Sequence, residues 1–141
     1  MWKLSPEDDY LHKLKKWPKK YKRELRNVHD NLDTFQKTLN TGVKPIQAKF
    51  GFVHTEPMGI LAVDQKGKGQ SMKQTRLYFF PDETDETLYL LTLGDKSSQE
   101  DDIALCKQFV KDHLANSETE ETVALEMTLR NEVEEHVKQA K

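Results

Sequence analysis

Apolar positions recur along this chain with two different periods, and each period predicts an element. Tyr21, Leu25, Val28, Leu32, Phe35 and Leu39 step by four and three residues. That spacing predicts a helix of about five turns with one continuous apolar seam, while Lys22, Arg23, Arg26, Asp30 and Lys37 take its other faces. Asn40-Thr41-Gly42 supplies the stop. A shorter stripe of Tyr10, Leu11, Leu14 and Trp17 predicts a preceding helix. Ser5 is placed as its N-cap, Pro6 as its first residue and Asp8 as the partner in a variant capping box. Pro18 ends or kinks it. Trp2-Lys3-Leu4 alternates as a short strand would.

Beyond Gly42 the period shortens. Val43 to Pro57 reads as a connecting segment with room for a short strand. Gly59–Asp64, Thr75–Phe80 and Thr87–Leu93 carry the β-branched and aromatic content of strands, with Pro81 ending the second. Their short connections predict an antiparallel meander, because parallel pairing needs longer crossovers. Ser97 and Glu100 form a capping box for a closing helix, with Ile103, Cys106, Phe109, Val110 and Leu114 facing inward. Cys106 falls on that stripe and reads as a packing residue. Asn116–Thr122 reads as an acidic linker, and Leu125, Leu129, Val133 and Val137 mark an extra C-terminal helix with a thin apolar stripe. Such a stripe needs something to lie against. The expected fold is α+β: two N-terminal helices packed on a small antiparallel sheet, then a closing helix. Residues 1–115 form the domain, and 116–141 are the linker and extra helix, a candidate homodimer contact.

Composition narrows the function classes. At 141 residues the chain has room for one ordinary domain, and 33% charged residues beside 35% hydrophobic ones fit a folded domain with charged helix faces. The net charge of −2 hides an asymmetry. Residues 114–141 hold seven acidic and three basic groups, leaving 19 basic against 17 acidic elsewhere. The basic groups bunch at Lys13–Arg26 and Lys66–Arg76, so a basic working surface with an acidic tail is one reading and solvated helix faces the other. A single cysteine forms no intramolecular disulfide, no signal-peptide pattern opens the chain, and no apolar run nears the ~20 residues that cross a bilayer. A cytoplasmic protein without membrane contact is expected.

Familiar site patterns are missing. Gly67-Lys68-Gly69 lacks P-loop spacing, the five histidines are scattered, and no Gly-x-Ser-x-Gly elbow occurs. No cofactor or metal is expected. What stands out is a cationic constellation. Lys66 and Lys68 lie in the loop before the second meander strand, Lys73 at its start, Arg76 within it, and Lys96 past the third strand. Antiparallel pairing brings Lys73 and Arg76 towards Lys96, a grouping suited to a phosphodiester and the extra charge of a phosphorane. Metal-free cleavage would need one lysine whose proton affinity is lowered by its cationic neighbours. The bland alternatives are solvated loop lysines and a salt-bridged structural arginine. His54 is a candidate proton-transfer group or a surface histidine. Tyr78 and Tyr89 would stack on bases if exposed, or pack in the core.

Read together, Gly59-Ile60-Leu61-Ala62-Val63, Thr75-Arg76-Leu77-Tyr78-Phe79-Phe80 and Leu88-Tyr89-Leu90-Leu91-Thr92-Leu93-Gly94-Asp95-Lys96 resemble the RelE/ParE toxin superfamily. Gln99-Glu100-Asp101-Asp102-Ile103-Ala104 is similar to the stretch where that family begins its next helix, and the likeness covers Trp2 to Leu114. The resemblance implies a toxin of a type II toxin–antitoxin pair. RelE-like members cleave mRNA on the ribosome without metal through the 2′-hydroxyl, and ParE-like ones poison DNA gyrase. It implies a cognate antitoxin, with mRNA and the ribosome as partners. By position it matches Arg76 to the family's strand arginine, puts Lys66, Lys68 and Lys73 near its catalytic lysines and Lys96 near a basic residue after the final strand. With the residue-level candidates added, Arg76, Lys96, Lys73 and His54 are the expected catalytic set and Lys66, Lys68 and Tyr78 the expected RNA-binding set. The chain departs from the pattern past Lys96, where only His113 precedes the tail in place of the family's catalytic Tyr or His. The tail beyond Asn116 is also longer than usual, and its acidic face suggests a built-in regulator.

Overall fold

The computed structural model describes residues 1–67 and 73–139, without the side chains of 118–122 and 132–139. By its internal contacts the chain divides into Met1–Gln108 and Phe109–Lys141. In the first unit the strands are β1 (Lys3–Pro6), β2 (Val53–Thr55), β3 (Leu61–Val63), β4 (Thr75–Asp82) and β5 (Thr87–Asp95). Helices α1 (Asp8–Lys16) and α2 (Lys22–Leu39) separate β1 from β2, and α3 (Gln99–Gln139) begins after a 3-10 turn at Lys96–Ser98. The architecture is α+β.

The three expected meander strands are present, but the sheet is larger and mixed. Its order is β1-β5-β4-β3-β2, with β1 parallel to β5 and the other pairs antiparallel. The helices between β1 and the later strands supply the long connection that parallel pairing needs. Main-chain bonding to β5 also corrects the start of α1. Glu7 N donates to Leu90 O at 2.9 Å, which holds Ser5 and Pro6 in extended chain and delays the helix to Asp8. Pro81 likewise does not end β4. It pairs with Leu88 beyond Phe79, where β4 has lost β3 and has one neighbour left, a place that tolerates a missing N–H.

The apolar seam of α2 does what its spacing predicts. Val28, Leu32, Phe35 and Leu39 are buried with Val63, Leu77, Phe79, Leu88 and Leu93 of the sheet. Phe35 meets Phe79 edge-on at a 5.3 Å centroid distance and meets Phe50 at 6.4 Å. Two polar contacts fix β1 to the end of α2: Trp2 N donates to Asn40 Oδ1 at 2.7 Å, and Gln36 Nε2 donates to Trp2 O at 3.0 Å. Helix α1 lies against β5, and its Tyr10 hydroxyl shares a 2.8 Å hydrogen bond with His29 Nε2 of α2.

In the second unit the helix backbone continues where a linker was expected at 116–122, so the closing and extra helices are one element, α3. The division falls after Gln108 rather than after residue 115. Phe109 and His113 stack at 5.5 Å, and Leu114, expected to face inward, is exposed together with Val123, Leu125, Met127 and Leu129. Val133 and Val137 lie outside the described side chains. No helix among the described residues is long and apolar enough to cross a membrane.

Candidate active site

Strand alternation gives the sheet a second face, turned away from α2, on which polar side chains stand among buried ones. His54 pairs with Ala62, Ala62 with Tyr78, and Tyr78 with Thr92, so the four share one cross-strand row. Arg76 and Gly94 form the next row on the same face. Ala62, with only a methyl group, leaves room for longer neighbours to meet above it.

His54 and Asp64 are the best-defined chemical pair there. The imidazole Nε2 donates to Asp64 Oδ2 at 2.6 Å, and the carboxylate's other oxygen accepts from Lys66 N at 2.8 Å. Asp64 is buried, whereas His54 is one-third exposed. The carboxylate therefore fixes which imidazole nitrogen carries hydrogen and leaves Nδ1 as the basic one. The loop that follows is clamped at both ends. Asn31 Nδ2 donates to the carbonyls of Asp64 at 2.8 Å and Lys66 at 3.2 Å. Gln65 bridges the returning chain, giving a hydrogen bond to Lys73 O at 2.6 Å and taking one from Thr75 N at 3.0 Å.

His54 also lines a groove of about 890 Å³ beside β2, with Ile46, Lys49, Phe50, Leu61 and Pro81 among its walls. Gly51 belongs to the same wall, and Lys66 Nζ lies 3.8 Å from the point that a Cβ on Gly51 would occupy. The first loop lysine thus lies close to one residue of the groove wall.

The other predicted residues come together less simply. Arg76 is 15% exposed and paired with Glu56, Nη1 to Oε1 at 3.6 Å, so it is no free phosphate grip. Lys73 is held by Asp95 Oδ2 at 3.0 Å and sits 4.4 Å from the centre of the Tyr21 ring. Its hydrogen bond to Asp95 raises its proton affinity above that of an ordinary lysine. For Lys73 the carboxylate partner, and not a neighbouring cation, sets the direction. Asp95 is in turn held at about 2 by hydrogen bonds from Ser97 and Lys73. Lys96 is exposed on the 3-10 turn beside Asp95. Tyr78 is fully buried and stacks on no base; burial pushes its hydroxyl up to about 12 against the opposing effect of Arg76. Tyr89 is taken up by Asp85, to which its hydroxyl donates at 2.6 Å. Lys68 lies outside the described residues. Cys106 is buried, which raises its thiol to about 12 and fits the packing role.

A second polar group ties α1 and α3 to β5. Lys13 Nζ donates to Asp102 Oδ1 at 2.8 Å and Thr92 Oγ1 at 2.7 Å, Thr92 donates to Asp9, and Ser98 Oγ donates to Asp102 Oδ2 at 2.7 Å. Burial works against the Lys13 charge, but Asp102 and Asp9 outweigh it and raise its proton affinity. Asp102 rests on Gly94, where a Cβ would come 2.8 Å from the carboxylate carbon.

Asp64, Glu56 and Asp95 are residues of this candidate site that sequence reasoning missed. A carboxylate two positions before Lys66 was a usable signal for Asp64. Nothing in local spacing pointed to Glu56 or Asp95, since their partners lie across the sheet. Among the described residues no group of three or more His, Cys, Asp or Glu side chains is placed to hold a metal ion. No protein-family model, curated protein or solved structure matches this chain, so the site carries the functional reading by itself.

Proposed function

We propose that this protein is a RelE-like toxin, an endoribonuclease that cuts ribosome-bound mRNA without a metal and is neutralised by a cognate antitoxin. One observation carries the reading: Asp64 orients the imidazole of His54, a residue that lines the groove beside β2, and Lys66 lies close to Gly51 of the same wall. Histidine is the side chain suited to proton exchange near neutral pH. In this reading His54 Nδ1 takes the proton of a ribose 2′-hydroxyl. The freed oxygen attacks the adjacent phosphorus, the bond from phosphorus to the 5′-oxygen breaks, and Lys66 protonates that leaving oxygen. The products are a 2′,3′-cyclic phosphate and a 5′-hydroxyl. Lys96 attracts the RNA backbone, and Arg76 joins the phosphorane only by releasing Glu56. We read β1, the two N-terminal helices, β3–β5 and the start of α3 as a RelE-type arrangement, to which β2 is an addition.

A second reading is favoured by the carboxylate partners of Arg76 and Lys73. It is a RelE-fold protein that binds without cutting, or a ParE-type gyrase inhibitor working through its helices. Induction followed by primer extension on ribosome-bound transcripts separates the two. New 5′ ends that vanish with His54→Ala support the nuclease, whereas growth arrest with a DNA-damage response and intact transcripts supports the inhibitor.

A further inference from the structure

The geometry points to the groove beside β2 as a subsite for one unpaired nucleotide of single-stranded RNA, phosphate at the His54 end and base along the apolar wall. It takes its ligand from the ribonuclease reading and rests on it. The groove's size falls within the roughly 300–1,000 Å³ of small-molecule sites. Its lining carries groups of both signs. Lys49 and Gly51 precede β2, with Lys66 Nζ 3.8 Å from a Cβ position on Gly51, and His54 is the strand's middle residue. Glu56 and Glu83 stand at the other end, where β2 finishes and β4 runs on past Phe79, the partner of Leu61. Glu56 is engaged with Arg76, which leaves Glu83 to face a ligand.

A nucleotide has the matching polarity. Its phosphate is anionic, its base has apolar faces, and the base edge carries N–H donors that a carboxylate accepts. Between the two charged ends the wall offers Pro45, Ile46, Phe50 and Pro81. Phe50 is held flat by a parallel stack on Phe52 at 4.8 Å and by the edge contact with Phe35. Ile46 is 77% exposed, a cost in water unless something covers it. A half-buried, prearranged ring and an exposed aliphatic partner make a slot for a flat ligand.

The test is titration of the full-length protein with guanosine 3′-monophosphate and cytidine 3′-monophosphate by calorimetry. Saturable binding is expected, weakened about tenfold or more by Ile46→Asp and by Lys49→Ala. Both side chains lie outside the core, and thermal melts check that each variant stays folded. Failure of both nucleotides to bind, or binding that neither substitution changes, overturns the subsite. Cleavage by the wild type scores the parent reading separately. A protein that cuts RNA but binds neither nucleotide loses the subsite and keeps the nuclease, and one that binds them through Ile46 and Lys49 but cuts nothing keeps the subsite and loses the nuclease.

Discussion

Gly94→Ala should destabilise the protein by about 2–4 kcal/mol, although alanine in place of glycine in a strand ordinarily stabilises by roughly 0.5–1 kcal/mol. Gly94 is not among the residues with positive φ, so its backbone accepts any L-residue. The obstacle is Asp102, which is 2% exposed and whose carboxylate lies over the Gly94 α-carbon. A methyl group there displaces the carboxylate from Lys13 and Ser98. Breaking a buried ion pair by loss of one partner costs about 3–5 kcal/mol. The Lys13 side chain is 31% exposed, so water compensates part of that loss, and the lower range follows. Against a domain stability of about 5–15 kcal/mol this is a large fraction, and the melting temperature should fall by roughly 10–15 °C. Urea denaturation of wild type, Gly94→Ala, Asp102→Ala and the double variant measures it. In the Asp102→Ala background the alanine should cost less than in the wild type, because only Ser98 Oγ, 2.5 Å from the Cβ position, remains to be displaced. Equal costs in both backgrounds, or a neutral single substitution, would refute the role given to Asp102.

Other consequences follow from the same contacts. Phe35→Ala should cost about 3–5 kcal/mol in thermal or urea unfolding, since Phe35 is fully buried between α2 and the sheet. Asp95, held at about 2 against an ordinary 3.8, contributes stability that is present above pH 3.8 and is lost as pH falls from there towards 2. Asp95→Asn should flatten the stability profile over that window. Burial lowers the proton affinity of His29 below the usual 6.5, so its contribution is lost as pH falls through 6.5 and below, and His29→Gln should remove that step in urea titrations. Glu56→Gln frees Arg76 and should tighten binding of single-stranded RNA in a filter assay, with a steeper salt dependence; an unchanged salt slope would count against Arg76 as a backbone contact.

The helices were legible because their information is local. The steps from Tyr21 to Leu39 declare one buried face, and five of those six residues are buried in the cluster formed with the sheet. The meander was legible for the same reason, through strand content and short connections. The parallel pairing of β1 was not, since it depends on where a chain end lands some 85 residues along the sequence, as in Lys3 opposite Thr87. The acidic run at 116–122 suggested a linker because local polarity cannot distinguish a solvated helix from a loop. At the site, the cations were visible as residue types, but their carboxylate partners were not. Arg76 meets Glu56 across Ala62, and Lys73 meets Asp95 across β4 and β5, contacts that exist only once register is fixed. His54 was visible as a lone histidine, and its pairing with Asp64 is a diagonal neighbour relation between β2 and the end of β3.

The measurement that bears most directly on the ribonuclease reading compares wild type, His54→Ala and Asp64→Asn for cuts in mRNA on translating ribosomes, with purified, folded proteins. We predict 5′-hydroxyl ends from the wild type, none from His54→Ala, and a loss of about 100-fold or more in rate from Asp64→Asn. Cuts that persist undiminished in His54→Ala, or a wild type that leaves every transcript intact, would contradict it.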